Sequence, residues 1–189
     1  MIRAMPQTLD DVRAKLKSIK GIAIAKTSNP VPGDGNPKAE VVFIGEAPGA
    51  KEDAAGRPFV GSAGKILATL LESIGLKRED VYVTNVVKFR PPDNRDPTRE
   101  EKEACMPFLR EELAIIKPKV VVPLGRHALA HFAPNLTIGD AHGKPLQLAD
   151  DFAIFPLYHP AAALHNPNLR QTLKDDFAAL GAYLRSRAS

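Results

Sequence analysis

The chain holds one cysteine and no tryptophan, only 6% of its residues are aromatic, and no apolar run approaches the roughly 18 residues of a membrane span. A lone thiol, Cys105, cannot form an internal disulfide. Nor can it by itself hold a cysteine-ligated zinc or iron–sulfur centre, each of which takes several ligands. The opening residues Met1–Gln7 have no signal-peptide core, so the expected compartment is the cytoplasm. Excess charge of one sign is also missing. The 26 Lys and Arg against 22 Asp and Glu leave +4, which permits a polyanionic partner without requiring one.

Common catalytic signatures are absent too. Gly64-Lys65 has Phe59 where a phosphate-binding loop needs its first glycine and Ile66 where it needs a hydroxyl. No Gly-x-Gly-x-x-Gly follows a strand, and no Gly-x-Ser-x-Gly elbow is present. His127 and His131 lack the glutamate that a metalloprotease helix carries between its ligands. No metal site is expected.

What is present is an ordinary globular composition, 189 residues with 44% hydrophobic and 25% charged. That length suits one domain, 1–189, with residues 1–38 an N-terminal helix and loop packed on it. Leu9, Val12, Leu16 and Ile19 recur at helical spacing after Thr8. A stretch dense in turn formers, 27–37, then feeds the apolar run Val41–Ile44, bounded by Gly45. A helix follows with Ile66, Leu67, Leu70, Leu71 and Ile74 on one face, and then the β-branched run Val81–Thr84. Thr98 with Glu101 forms a capping-box pattern opening a helix that Pro118 stops. Val120–Leu124 reads as a third strand, Gly125 opens a short helix through Phe132, Phe152–Leu157 reads as a fourth strand, and the chain closes on a helix containing Leu173, Phe177, Leu180 and Leu184.

Alternating strands and helices predict an α/β fold, three layers α/β/α around a central four-stranded, mainly parallel sheet, with ligands at the carboxyl ends of the strands. Those ends carry Glu46, Asn85, Asn94 and His159, far apart in sequence.

As a set, the strand-end motifs are specific. The run Val42–Gly49 with Glu52-Asp53, Gly56–Gly61 and Ala63-Gly64, the run Thr84–Lys88 with Arg90–Pro97, Glu100-Glu101 and Cys105, and the ending Tyr158–Ala162 with Asn166-Pro167 and Leu169-Arg170 follow in order over about residues 39–180. Together they resemble the family four uracil-DNA glycosylases. The resemblance implies a monomeric, monofunctional enzyme that flips uracil out of single- or double-stranded DNA and hydrolyses its bond to deoxyribose. It implies uracil and an abasic site as products, and no membrane contact.

The residues suit that task. Extracting a base from the stack costs a few kcal/mol, after which its edge can be read. Phe59 offers an aromatic face, worth roughly 1–3 kcal/mol per stacked base but blind to sequence. Asn85 supplies the discrimination, since an amide pairs with the O4 and N3–H of uracil and mismatches cytosine. Gly45 and Ala47 complete the uracil site by resemblance. His159 can donate to the anion that develops on uracil O2, as preorganised donors do for about 100- to 1,000-fold in rate. The resemblance assigns Asn94 to hold the attacking water, and Glu46 can stabilise the sugar cation or polarise that water. The sister family one has an aspartate where Ala47 stands here, which shifts the expected burden to His159 and Asn94.

For DNA, Ser62, Lys65, Lys88, Arg90, Arg95 and Arg170 lie in or beside the motif loops, and the amides of Gly61, Ser62 and Ala63 open a helix suited to a phosphate. Leu164 is the expected wedge into the vacated space. The chain departs from the family in its cysteines. Family four enzymes usually carry four that bind a [4Fe–4S] cluster, whereas here Phe89 stands at one position, Cys105 alone remains, and the segment 19–26 has none. No cofactor is therefore expected, with Ile19, Ile22, Ile24 and Phe89 filling the gap by packing.

Read singly, Phe59 fits a core position, Asn85 and Asn94 fit turns or caps, Glu46 fits a helix cap and His159 fits a structural histidine. Two other functions stay open at this point: a DNA- or abasic-site-binding module without catalysis, and a glycosylase of the same fold acting on another deaminated base. A DNA-cross-linking relative would need an extra basic loop with a histidine, which Ala50-Lys51-Glu52-Asp53 does not provide.

Overall fold

The computed structural model describes residues 8–19, 21–147 and 152–188. The opening stretch Met1–Gln7, on which the leader reading rests, lies outside them. In chain order the elements are α1 (Leu9–Lys17), a 3-10 turn (Ala23–Lys26), β1 (Asp34–Gly35), β2 (Val41–Gly45), α2 (Ala50–Ala55), α3 (Ser62–Ser73) and β3 (Tyr82–Asn85). They continue with a 3-10 turn (Pro92–Asn94), α4 (Arg99–Ile116), β4 (Val120–Pro123), α5 (Arg126–Phe132), α6 (Ile138–Ala141), β5 (Leu146–Gln147), β6 (Ala153–Ile154), α7 (Ala162–His165) and α8 (Pro167–Ala188).

The sheet order is β1-β3-β2-β4-β6-β5, with the four inner strands parallel and the two outer ones antiparallel. The expected four-strand sheet is thus the inner part of a six-stranded one. The edge strands escape sequence reading because each is two residues long, too short for any periodicity, and Asp34-Gly35 looks like turn chemistry. The fourth expected strand, 152–157, is assigned as strand only at Ala153–Ile154. Its parallel pairing still runs on, with the N–H groups of Ala153, Phe155 and Leu157 donating to the carbonyls of Lys119, Val121 and Pro123.

Two apolar clusters sandwich this sheet, and the period-two alternation of a strand decides which residue joins which. Val42, Ile44, Tyr82 and Val121 face the layer of α1, α4 and α5. Val41, Phe43, Val81, Val83, Val120 and Val122 face α3 and α8. Capping boxes start α1 and α4, with Thr8 and Asp11 in one and Thr98 and Glu101 in the other exchanging side-chain and backbone hydrogen bonds. Helix α1 buries Leu9, Val12 and Leu16 and packs on α4, where Lys15 pairs with Glu111. No helix among the described residues is long and apolar enough to cross a membrane.

Candidate active site

Parallel pairing delivers the site residues to one end of the sheet. Gly45 closes β2 in register with Asn85 closing β3, and the Val86 and Val87 N–H groups donate to the carbonyls of Gly45 and Glu46 at 2.9 Å. The loop from α2 to α3 brings Phe59 over them in a left-handed conformation, φ 55°. That conformation costs of order 1–3 kcal/mol in a non-glycine residue and persists only where neighbours impose it. Here Gly64 allows it, because the Phe59 carbonyl fills the space where a Gly64 side chain would stand. Glu52 adds a tie from α2, its Oε1 accepting the Gly61 N–H at 2.8 Å. Past β6, a parallel bridge between Leu124 and Leu157 leads into His159, whose ring centroid lies 5.7 Å from that of Phe59 at 30°. Gly45, Phe59, Asn85 and His159 thus converge.

Their polar atoms are held ready for a guest. Asn85 is 3% exposed, yet among the described residues its side-chain amide has no hydrogen-bond partner. The amide atoms still reach the cleft, where water or a guest can pair with them. His159 Nδ1 accepts the Ala161 N–H at 3.1 Å, so a neutral ring carries its proton on Nε2. Burial lowers the His159 pKa from 6.5 to about 4, against a smaller upward pull from Glu52, so the ring is neutral at physiological pH. Glu46 moves the other way: burial, and next the Asp96 charge, raise it from 4.5 to about 7. Its Oε1 is shielded from solvent and has no hydrogen-bond partner. No helix-capping role accounts for it, since the N-cap of α2 is Gly49 without a side-chain cap.

Other expected site residues stand elsewhere. Asn94 sits exposed on the Pro92–Asn94 turn at φ 53°, its Oδ1 accepting from Arg90 Nε at 2.7 Å. Ala47 packs against the apolar cluster on the α4 side. Arg95 forms a two-pronged pair with Glu101, 2.9 and 2.7 Å, and so bolts the loop to α4 where a free phosphate ligand was expected. Lys88 is fully buried. Its Nζ donates to Glu112 Oε2 at 2.6 Å and to Thr84 Oγ1 at 2.5 Å, while Tyr82 Oη and the Gly33 N–H donate to Glu112 Oε1. Of the three amides expected to receive a phosphate, that of Gly61 is already held by Glu52, leaving those of Ser62 and Ala63 at the start of α3.

Lys65 and Ser62 are exposed on α3. Arg170 Nε donates to the Ala163 carbonyl at 3.0 Å, buttressing the turn of α7 from which Leu164, 42% exposed, projects. Sequence reasoning passed over two residues that touch this constellation. Glu52 was read only as part of a motif, and His127, 3.4 Å from Glu46, was assigned nothing because no motif contains it.

A four-cysteine iron–sulfur centre does not fit the residues present. Cys105 is the chain's one cysteine, and its thiol lies in an apolar cluster with Ile22, Ile24, Phe89 and Phe108, with Ile19 packed against it. The Lys88 N–H donates to the sulfur at 3.4 Å, and burial pushes the thiol pKa up.

The carboxyl ends of a three-layer α/β/α sheet thus bring together an aromatic face, a side-chain amide and a neutral imidazole. The chain belongs to the uracil DNA glycosylase superfamily, whose sequence profile matches residues 32–182. It is similar to the type-4 uracil-DNA glycosylase of Archaeoglobus fulgidus, with 48% identity over 185 residues, 93% of this chain and 92% of the relative. The type-4 enzymes of Sulfurisphaera tokodaii (49% over 159 residues, 79% and 72% of the two chains) and Thermotoga maritima (42% over 162 residues, 84% of each) are similar in the same way.

Proposed function

We infer that this chain is a DNA repair glycosylase that excises uracil from DNA by hydrolysing the N-glycosidic bond, working as a monomeric single-domain enzyme in the cytoplasm and releasing uracil. The observation that carries the reading is Asn85, an amide 3% exposed with no protein partner, beside the ring of Phe59. Uracil stacked on Phe59 presents O4 to the amide N–H and N3–H to the amide oxygen, whereas cytosine would leave both sides of the pairing unmet.

As the C1′–N1 bond breaks, its electron pair passes to N1 and spreads onto O2, and the sugar carbon becomes cationic. His159 Nε2–H donates to O2, a hydrogen bond that strengthens as the anion forms. Because the imidazole is neutral over the working range, it stabilises this charge without having to give up a proton. Water then adds to C1′ and passes its proton to the Glu46 carboxylate. The structure gives Asn94 to Arg90, so water activation in this reading falls on Glu46. With its pKa near 7, the rate rises with pH through about that value as the carboxylate ionises. Ser62, Lys65 and Arg170 face the phosphates, and Leu164 enters the space the base leaves.

Single-turnover assays on oligonucleotides containing uracil, cytosine or hypoxanthine, single- and double-stranded, followed by alkali, test the reading. Alkali-dependent cleavage at uracil is expected. Binding without cleavage would replace it with a non-catalytic module, and cleavage at hypoxanthine alone would overturn the role of Asn85.

A further inference from the structure

The first turn of α5 places His127 between two carboxylates. Its Nδ1 lies 3.4 Å from Glu46 Oε1, and its Nε2 lies 3.3 Å from Asp96 Oδ2. The Arg126 Nε–H donates to that same Nε2 at 3.0 Å. A neutral imidazole has one proton, and with Nε2 accepting from Arg126 that proton is on Nδ1, facing Glu46. Burial lowers the His127 pKa, which keeps the ring neutral at pH 7.

Glu46 Oε1 is shut from solvent and has no hydrogen-bond partner, and His127 Nδ1 is the donor poised 3.4 Å away. Catalytic hydrogen bonds are often long in the free enzyme and tighten on the substrate. Glu46, Asp96 and His127 also present donor atoms within 4.8 Å of one another. Asp96 Oδ2 also lies 3.7 Å from Arg126 Nη2, so the unprotonated Nε2 and Asp96 share that guanidinium, and Glu46 alone faces the ring's proton.

We propose that His127 is a positioning residue for the excision reaction: its Nδ1–H takes hold of Glu46 Oε1 and aims the carboxylate at the sugar carbon, while Arg126, itself paired with Asp96, fixes the ring's far edge. The proposal rests on the reading of Glu46 as the group that receives the water proton. The charged and titratable groups facing Glu46 are Asp96 on the loop before α4, Lys102 on α4, and Arg126 and His127 on α5.

The test compares wild type with His127→Phe, His127→Asn and His127→Gln in single-turnover excision between pH 5 and 9. Phenylalanine keeps the ring volume and removes the donor. A carboxylate that loses a hydrogen bond to its charged form has its pKa raised, so the rate midpoint should move up by about one pH unit, a loss of up to about tenfold below the midpoint that shrinks toward pH 9. Asparagine, whose Nδ2 falls near the place of the imidazole Nδ1, should restore the midpoint, and glutamine, which reaches only the Nε2 place, should not. In a Glu46→Gln background, His127→Phe should change nothing further.

The same coupling is read without catalysis. Ionising Glu46 costs the fold stability, so the Tm advantage of Glu46→Gln over the parent should grow from about pH 4.5 to 7 and then level off, and His127→Phe, which removes the N–H dipole 3.4 Å from the carboxylate, should move that levelling to higher pH. An unmoved midpoint in both readouts, or equal rescue by asparagine and glutamine, would show that His127 only fills space. A moved Tm levelling with no excision by any variant would instead overturn the proposed activity and with it the role in excision.

Discussion

Replacing Gly45 with alanine should abolish uracil excision while the protein still folds. An added Cβ would drive into Asn85 Oδ1 and stand 2.9 and 3.0 Å from Phe59 Cζ and Cε2. Gly45 does not need its glycine for backbone reasons, since its φ is not positive, so the methyl group acts by occupying the space where base, amide and ring meet. The Phe59 ring can yield by a few tenths of an ångström, but the Asn85 amide must retreat by about 1 Å, and a misplacement of that size costs on the order of 100-fold in rate. Crowding a packed site typically costs about 1–3 kcal/mol of stability, which a domain of this size tolerates. The assay is single-turnover excision with enzyme in excess, beside a urea melt. A folded Gly45→Ala variant within about threefold of the wild-type rate would refute the placement of uracil against Gly45, Phe59 and Asn85.

Three further outcomes are expected. His159→Ala should lower the single-turnover rate at least about 100-fold, the size of a lost transition-state donor. Because the His159 pKa lies near 4, the wild-type rate should show no histidine limb above pH 5, and near-normal turnover by the variant would remove His159 from the mechanism. Asn85→Asp should weaken the preference for uracil over cytosine, since it removes the amide donor and leaves only acceptors, and oligonucleotides carrying either base at one position measure this. Lys88→Met should destabilise the fold by about 3–5 kcal/mol in urea melts, because it strands a buried glutamate. Adding Glu112→Leu should recover little of that loss, because the Gly33 N–H and the Tyr82 and Thr84 hydroxyls then lose their acceptor, and a Lys88→Met variant as stable as wild type would contradict the buried pairing.

How much of this was legible in the sequence depended on whether a residue's role is fixed by its own neighbours in the chain. Val41–Ile44 and Val120–Val122 announced a buried parallel sheet because alternate residues serve two cores and all must be apolar. Strand-end positions alone pointed to one crevice lined by Glu46, Asn85, Asn94 and His159, and parallel pairing sets Glu46 and Asn85 at neighbouring strand ends with His159 past the next bridge. Charge was misread where the partner is distant. Lys88 looked like a phosphate ligand until α4 placed Glu112 against it, and Arg95 did so until the capping glutamate Glu101 received its guanidinium as well as the Thr98 N–H. The left-handed Phe59 is set by its packing on Gly64, and the tautomers of His127 and His159 by hydrogen bonds from their chain neighbours Arg126 and Ala161, a geometry that no residue pattern foretells.

The site also shows where stability gives way to function. Glu46 is held with its pKa raised to about 7 and one oxygen shut from solvent without a hydrogen bond among the described residues, and a residue suited to those surroundings would make a more stable protein. By contrast, Ile22, Ile24, Phe89 and Cys105 close into one apolar cluster, packing that adds to the Lys15–Glu111 pair in holding the N-terminal segment to α4.

The most direct test of the central claim is the intact mass of a single-uracil oligonucleotide after one turnover with excess protein, with the released base identified by chromatography. The account predicts an oligonucleotide that has lost uracil and gained water at that position, one equivalent of free uracil, and protein of unchanged mass. An unaltered oligonucleotide, or one covalently joined to the protein, would contradict it.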